Sequence, residues 1–102
     1  MIEYTPGPWK VTGYKNLIVN DSKGVTLCLH PQGKSLEQTQ ANARLIAAAP
    51  DLYEALERLY NGACDRGETI NEEIGEEYDD WKICRLALEK AETGVHYKNT
   101  YV

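Results

Sequence analysis

The chain has 102 residues, carries a formal net charge of −5, and 42% of its residues are apolar. This length predicts a single domain over residues 1–102 with a small core, of the kind that oligomerisation often stabilises, so we expect a homo-oligomer. Every apolar run is shorter than the roughly 18 residues of a membrane span. The N-terminus also lacks the pattern of a secretion signal, so we expect no membrane partner and a cytoplasmic protein.

Charge is distributed unevenly along the chain. Residues 1–50 hold five basic and three acidic groups, a balance of +2, whereas residues 51–102 hold six basic and thirteen acidic groups, a balance of −7. Binding to duplex DNA requires clustered Lys and Arg against the phosphates, and this composition argues against it. The N-terminal half keeps enough positive charge to hold a small anionic ligand.

The N-terminal part of the chain predicts three antiparallel strands between about residues 8 and 30. Pro8 suits the start of the first strand, because proline cannot donate a hydrogen bond to a neighbouring strand. The second strand is NLIVN at 16–20, and the third is VTLCLH at 25–30. Between them NDSKG predicts a turn in which Gly24 takes a positive φ.

A helix is predicted over about residues 36–61. Ser35 and Gln38 fit a capping box at its start, and three consecutive alanines favour helix until Pro50 interrupts them. Two structures satisfy this pattern: one kinked helix, or two helical segments that meet at Ala49. We prefer the second, because Pro50 is favourable at the first position of a helix.

A further helix is predicted over about residues 70–92, from apolar residues at spacings of three and four and a second capping-box pattern at Thr69-Ile-Asn-Glu72. The tail, residues 95–102, is predicted to be either an edge strand or disordered. The fold class is therefore α+β, with an N-terminal three-stranded antiparallel sheet packed against two or three C-terminal α-helices.

Two motifs resemble a family of small phage and prophage proteins. They are TPGPW at residues 5–9 and ANARLIAAAPDLYEALE at residues 41–57. The resemblance covers the predicted sheet and first helix, and the acidic segment, the last helix and the tail lie outside it. It implies a phage accessory protein in the cytoplasm of an infected bacterium, and it implies no activity or catalytic residues.

Four residues near these motifs are candidates for binding a small anionic, nucleotide-like ligand. Arg44 is a forked donor suited to phosphate or carboxylate, Asn42 can donate and accept, and Trp9 could stack on a base. Lys10 adds a second cation. The structural alternatives are that Asn42 ties the helix to a strand, Arg44 pairs with a surface acid and Trp9 fills the core.

The segment from Asp65 to Asp80 holds eight acids and one arginine. It could imitate a nucleic-acid backbone and bind a basic groove of a host protein, with Glu72, Glu73, Glu76 and Glu77 as the contacts. The structural alternative is a solvated start of a helix, where acids are favourable.

The sequence contains no catalytic constellation, so we do not expect an enzyme, and it contains no cofactor motif. Cys28 and His30 resemble two metal ligands on one strand, but a zinc site normally needs four, and no metal is predicted. Three classes of function remain: a module that sequesters a nucleotide signal of a host defence system, an acidic inhibitor of a host protein, and an enzyme. We prefer the first.

Overall fold

The computed structural model describes residues 3–94. In chain order its elements are β1 Lys10–Thr12, β2 Ile18–Asn20, β3 Thr26–Leu29, α1 Leu36–Asp65, β4 Ile70–Asn71, β5 Glu76–Glu77 and α2 Asp79–Thr93. The predicted α+β class, with an N-terminal three-stranded antiparallel sheet followed by helices, is confirmed. Within the described residues there are two α-helices and no third.

The N-terminal sheet is an antiparallel meander in the order β1-β2-β3. Val19, in the central strand, lies opposite Val11 and Cys28 and is completely buried. The predicted turn between β2 and β3 is organised by Asp21, whose Oδ1 accepts hydrogen bonds from the backbone N–H groups of Lys23 at 2.9 Å and Val25 at 2.8 Å. Gly24 has a φ of 85°, as the turn pattern predicts.

The outward face of β3 is apolar. Leu27 and Leu29 are 37% and 62% exposed, and Val25, just before the strand, is 59% exposed. The alternation of side chains along this strand is as expected, since these residues share one face and Cys28 points the other way. The leucine face of β3 is therefore exposed in the structure.

The start of α1 is fixed by the predicted cap. Ser35 Oγ accepts from the backbone N–H of Gln38 at 3.2 Å. The Gln38 side chain reaches back and accepts from the N–H of Lys34 at 2.6 Å, one residue earlier than a standard capping box would have it. Thr39, which is buried, accepts from the N–H of Gly33 and donates to the carbonyl of Ser35.

Pro50 does not divide α1, which is one helix from Leu36 to Asp65. The preferred prediction of two segments meeting at Ala49 therefore differs from the structure, and the single-helix alternative describes it. Proline leaves the carbonyl of Ile46 without its helical donor. Pro50 is buried, however, so its ring contributes apolar burial that offsets the missing hydrogen bond.

The last helix begins later than predicted. Residues 70–77 form a β-hairpin in which Ile70 pairs with Glu77 and Asn71 with Glu76, and α2 starts only at Asp79. The predicted helical spacing fails because Gly75, with a φ of 71°, closes a tight turn, and its N–H donates to the carbonyl of Asn71 at 2.7 Å. The end of α2 is as expected, with Gly94 in the left-handed conformation.

The described residues fall into two compact units, Glu3–Leu52 and the residues from Tyr53 onward. The single-domain assignment stays a prediction. The alternatives for the tail, residues 95–102, lie outside the described residues. In the part of the chain that the structure describes, no helix is both long and apolar enough to cross a membrane.

We predict that Asp21→Ala destabilises the protein by about 2 kcal/mol, because two backbone N–H groups lose a charged acceptor. Chemical denaturation monitored by circular dichroism measures the change. Ser22→Ala is the matched control, because Ser22 is exposed in the same turn and makes no hydrogen bond with the described residues. Equal stability of the two variants would contradict the role assigned to Asp21.

Candidate functional site

The two sequence motifs meet in the folded N-terminal unit. A Cβ atom added to Gly7 would lie 3.2 Å from Cβ of Pro50, which is tighter than ordinary packing. Gly7 is therefore the residue that allows the TPGPW segment to approach α1 closely. The proline that interrupts the alanine run is thus the point on the helix where the N-terminal turn packs.

Trp9 is held by the N-terminal turn. Its indole Nε1–H donates to the carbonyl of Thr5 at 3.0 Å, and its ring lies edge-on to Tyr4 with 6.4 Å between ring centroids. The side chain is half-buried. These contacts give Trp9 a structural role in ordering the TPGPW segment, and they use its one hydrogen-bond donor.

Asn42 ties α1 to the loop that follows β3. Its Nδ2 donates to the carbonyls of Pro31 at 3.0 Å and Gln32 at 3.3 Å. Asn42 was expected, as the structural alternative to ligand binding, to tie the helix to a strand. It does tie the helix to another segment, but the acceptors lie in a loop. Both protons of the side-chain amide are used in this way.

Arg44 and Lys10 are the two cations of the predicted ligand site, and both are exposed. Neither side chain forms a hydrogen bond or ion pair with any of the residues 3–94. Lys10 lies on β1 and Arg44 on α1. Of the four predicted ligand residues, these two therefore keep their donors for other partners, whereas Trp9 and Asn42 donate within the fold.

The second candidate site is the acidic hairpin, which we define as residues 70–77. Its turn is ordered by Asn71, whose Oδ1 accepts from the backbone N–H of Glu73 at 3.0 Å. The hairpin presents two exposed apolar side chains beside its acids, Ile70 on β4 at 50% and Ile74 in the turn at 65% exposure. No basic residue occurs within these eight positions, so the hairpin combines apolar and negative surface.

The base of the acidic hairpin is fixed to α2 by Arg85. The Arg85 Nε and Nη2 atoms each lie 3.1 Å from Oε1 of Glu77, while Nη1 lies 3.1 Å from Oε1 of Glu89. Hydrogen bonds to Glu77 and then to Glu89 raise the pKa of the Arg85 guanidinium. Because bidentate arginine–carboxylate pairs are geometrically specific, this pair fixes the position of β5 on α2.

Tyr60, on α1, completes this anchor. Its hydroxyl donates to Oε2 of Glu77 at 3.2 Å, and its ring lies 6.2 Å from that of Trp81, centroid to centroid. Burial, followed by the neighbouring Cys64 and Glu77, raises the pKa of Tyr60 to about 12. Tyr60 is therefore a neutral donor at physiological pH.

The structure separates the four glutamates that the sequence grouped. Glu77 is half-buried and paired with Arg85, which makes it part of the anchor. Glu72, Glu73 and Glu76 are exposed and form no ion pair with the described residues. Of the four carboxylates predicted to contact a partner, three are therefore exposed on the hairpin, and Glu77 is paired with Arg85 at its base.

Sequence reasoning missed the anchor residues Tyr60, Trp81 and Arg85. The prediction of one helix over residues 70–92 placed Trp81 and Arg85 on that helix. It gave no reason for either side chain to face Glu77. The available signal was Asn71 followed by Gly75, a pair of turn-forming residues that could have indicated a hairpin.

No group of three or more His, Cys, Asp or Glu side chains within residues 3–94 could hold a metal ion. Cys28 lies on β3, and His30 follows the strand with a φ of 46°.

Comparison with protein families places the chain among phage proteins. Residues 1–95 match the family described as Salmonella phage P22 protein Y8K6, and the chain belongs to this family. The match includes the acidic hairpin and α2, so the family extends beyond the two motifs, which end within α1. The comparisons with curated proteins and with solved structures found no match.

We predict that Arg85→Ala destabilises the protein by about 1 to 2 kcal/mol, because it leaves the half-buried Glu77 carboxylate without its cation. Thermal or chemical unfolding measures the loss. Arg66→Ala is the matched control, since Arg66 pairs with Glu68 on the exposed surface, where ion pairs contribute little. A loss of stability in Arg66→Ala as large as that in Arg85→Ala would contradict the anchor.

Proposed function

We propose that this phage protein acts in the cytoplasm of an infected bacterium as a counter-defence inhibitor. In this proposal the acidic hairpin occupies a basic, nucleic-acid-binding groove of a host enzyme. The observation that carries it is the exposed set of Glu72, Glu73 and Glu76 on a hairpin whose base is fixed by the Arg85–Glu77 pair.

The chemistry of the hairpin suits such a partner. Grooves that bind nucleic acid are lined with Lys and Arg, and a negative surface of complementary charge speeds association and selects the partner. Exposed Ile74, among these carboxylates, adds apolar area, and apolar side chains at the centre of a polar contact supply binding free energy. The proposal therefore assigns selectivity to the acids and affinity to the isoleucine.

A fixed base and an exposed turn also favour binding. The hydrogen bonds of Asn71 order the turn before any partner is present. A segment that is already ordered loses less conformational entropy on binding than a flexible one. The same run of acids in an unstructured chain would bind more weakly.

This proposal is tested by charge reversal in the hairpin turn. Wild-type protein is used to isolate a host partner from bacterial lysate, and the partner is identified and tested for competition by DNA. We expect a partner with a basic groove, competition by DNA, and a loss of binding of at least about tenfold in Glu72→Lys/Glu73→Lys.

The control is Glu3→Lys/Glu37→Lys, which makes the same change in net charge at two exposed acids outside the hairpin. This control is expected to retain the partner. If the hairpin variant binds as tightly as wild type, or if DNA does not compete, the proposed inhibition through the acidic hairpin is wrong.

A second candidate function is the sequestration of a small nucleotide-type immune signal by the N-terminal unit. It is supported by the side chains of Arg44 and Lys10, two cations in the more basic half of the chain that are exposed and unpaired within residues 3–94. Guanidinium groups bind phosphate through parallel N–H donors. The internal hydrogen bonds of Trp9 and Asn42 make this candidate weaker than the first.

Native mass spectrometry with a panel of cyclic and ADP-ribose-type nucleotides tests this second candidate. We expect one retained ligand, and its loss in Arg44→Ala because the phosphate loses its forked donor. Arg58→Ala is the matched control, an exposed arginine about four helical turns further along α1. A protein that retains no ligand across the panel, or equal retention by both variants, would exclude a site at Arg44.

A further inference from the structure

The exposed face of α1 carries three parallel columns of residues, each repeating every seven positions. Residues seven apart lie two helical turns apart on the same side of a helix. The leucine column contains Leu45, Leu52 and Leu59. The small-residue column contains Ala41, Ala48, Ala55 and Gly62. The charged column contains Arg44, Asp51, Arg58 and Asp65.

These columns are adjacent and accessible. The small-residue column lies between the other two, because its members are three or four residues from a member of each, as Ala48 is four from Arg44 and from Leu52. The three leucines are 64%, 54% and 57% exposed in chain order, and every member of the charged column is exposed. This face of α1 is therefore apolar along its length and charged along one edge.

The charges in the third column alternate in sign from the N-terminus to the C-terminus of α1. The side chains of Arg44, Asp51 and Arg58 form no hydrogen bond or ion pair with any of residues 3–94. The column begins with a positive charge at Arg44 and ends with a negative charge at Asp65. When the same column is laid beside it in the opposite direction, each positive charge therefore meets a negative one. A second copy of the same helix, running antiparallel, supplies that reverse pattern.

We propose that a second copy of this chain docks antiparallel on the exposed face of α1, with Ala55 opposite Ala55 of the second copy. This register places Asp51 beside Arg58 of the second copy and Arg44 beside its Asp65. It also places Leu52 beside Leu59 and Ala48 opposite Gly62. A two-fold axis perpendicular to both helices brings charged column to charged column and leucine column to leucine column.

The small residues at the centre of this face allow close approach. Interhelical distance depends on the side chains at the contact, and Ala55 and Gly62 permit a short one. The leucines then pack along one side of the contact and the ion pairs along the other. A parallel pair lacks this complementarity, because its two-fold axis runs along the helices and sets the charged column of each copy against the leucine column of the other.

A dimer would also add buried apolar surface to a chain whose core is small. Besides Pro50, the buried apolar residues among those described are Val19, Ala43, Ala63, Leu86 and Leu88. Small domains with little buried apolar area are frequently stabilised by association. The proposal is independent of inhibition through the acidic hairpin, since it involves none of residues 70–77.

Sedimentation equilibrium over a range of concentrations tests the proposal. We expect a species of twice the chain mass of 11.5 kDa. Asp51→Arg and Arg58→Asp, made separately, each place two pairs of like charges in the symmetric interface, so we expect each to raise the dimer dissociation constant about tenfold. The double variant exchanges the charges and is expected to restore dimerisation to within about twofold of wild type.

Leu52→Gln provides a second, independent disruption, and Leu36→Gln is its control because Leu36 is exposed on α1 outside the three columns. Circular dichroism verifies that each variant keeps its helix content. The proposal is overturned by a wild-type protein that is monomeric at all concentrations, by a dimer that Leu52→Gln leaves intact, or by single charge variants that the double variant fails to rescue.

Discussion

The structure of this protein depends on α1 remaining one helix through Pro50. Proline removes a helical hydrogen bond, and the chain compensates by burying the ring and packing Gly7 of the TPGPW segment against it. The absence of a side chain at Gly7 is what permits this approach. Gly7 and Pro50 both belong to the unit Glu3–Leu52, so this contact lies within that unit.

The second organising contact is the pair between Arg85 and Glu77. It converts an acidic segment, which could be merely a solvated surface, into a hairpin with a fixed base and three exposed carboxylates. A charged pair in a half-buried position stabilises geometry more than it stabilises the fold. This is why the hairpin is the better candidate for recognising a partner, although the N-terminal half carries the more positive charge.

Arg44 has a place in two of the proposals, as a phosphate ligand and as one end of the antiparallel helix contact. The two roles differ in what they require of its neighbours. Ligand binding requires other donors beside Arg44, and the nearby Asn42 amide is engaged with the loop carbonyls of Pro31 and Gln32. The helix contact requires the alternation of charge along α1 and the exposed leucines and small residues beside it.

The sequence by itself determined the features that depend on local chemistry: the Asp21–Gly24 turn, the Ser35 cap, the strand order and the phage family. It could not determine whether Pro50 breaks α1, because the compensating contact with Gly7 comes from 43 positions away in the chain. It also suggested helix where the hairpin forms, since Ile70, Ile74 and Tyr78 have helical spacing. Only the tertiary structure decided that this segment is a hairpin. The Arg85–Glu77 pair and the tight turn at Gly75 stabilise the hairpin, whereas the helically spaced Ile70, Ile74 and Tyr78 stay exposed and so give a helix little to bury.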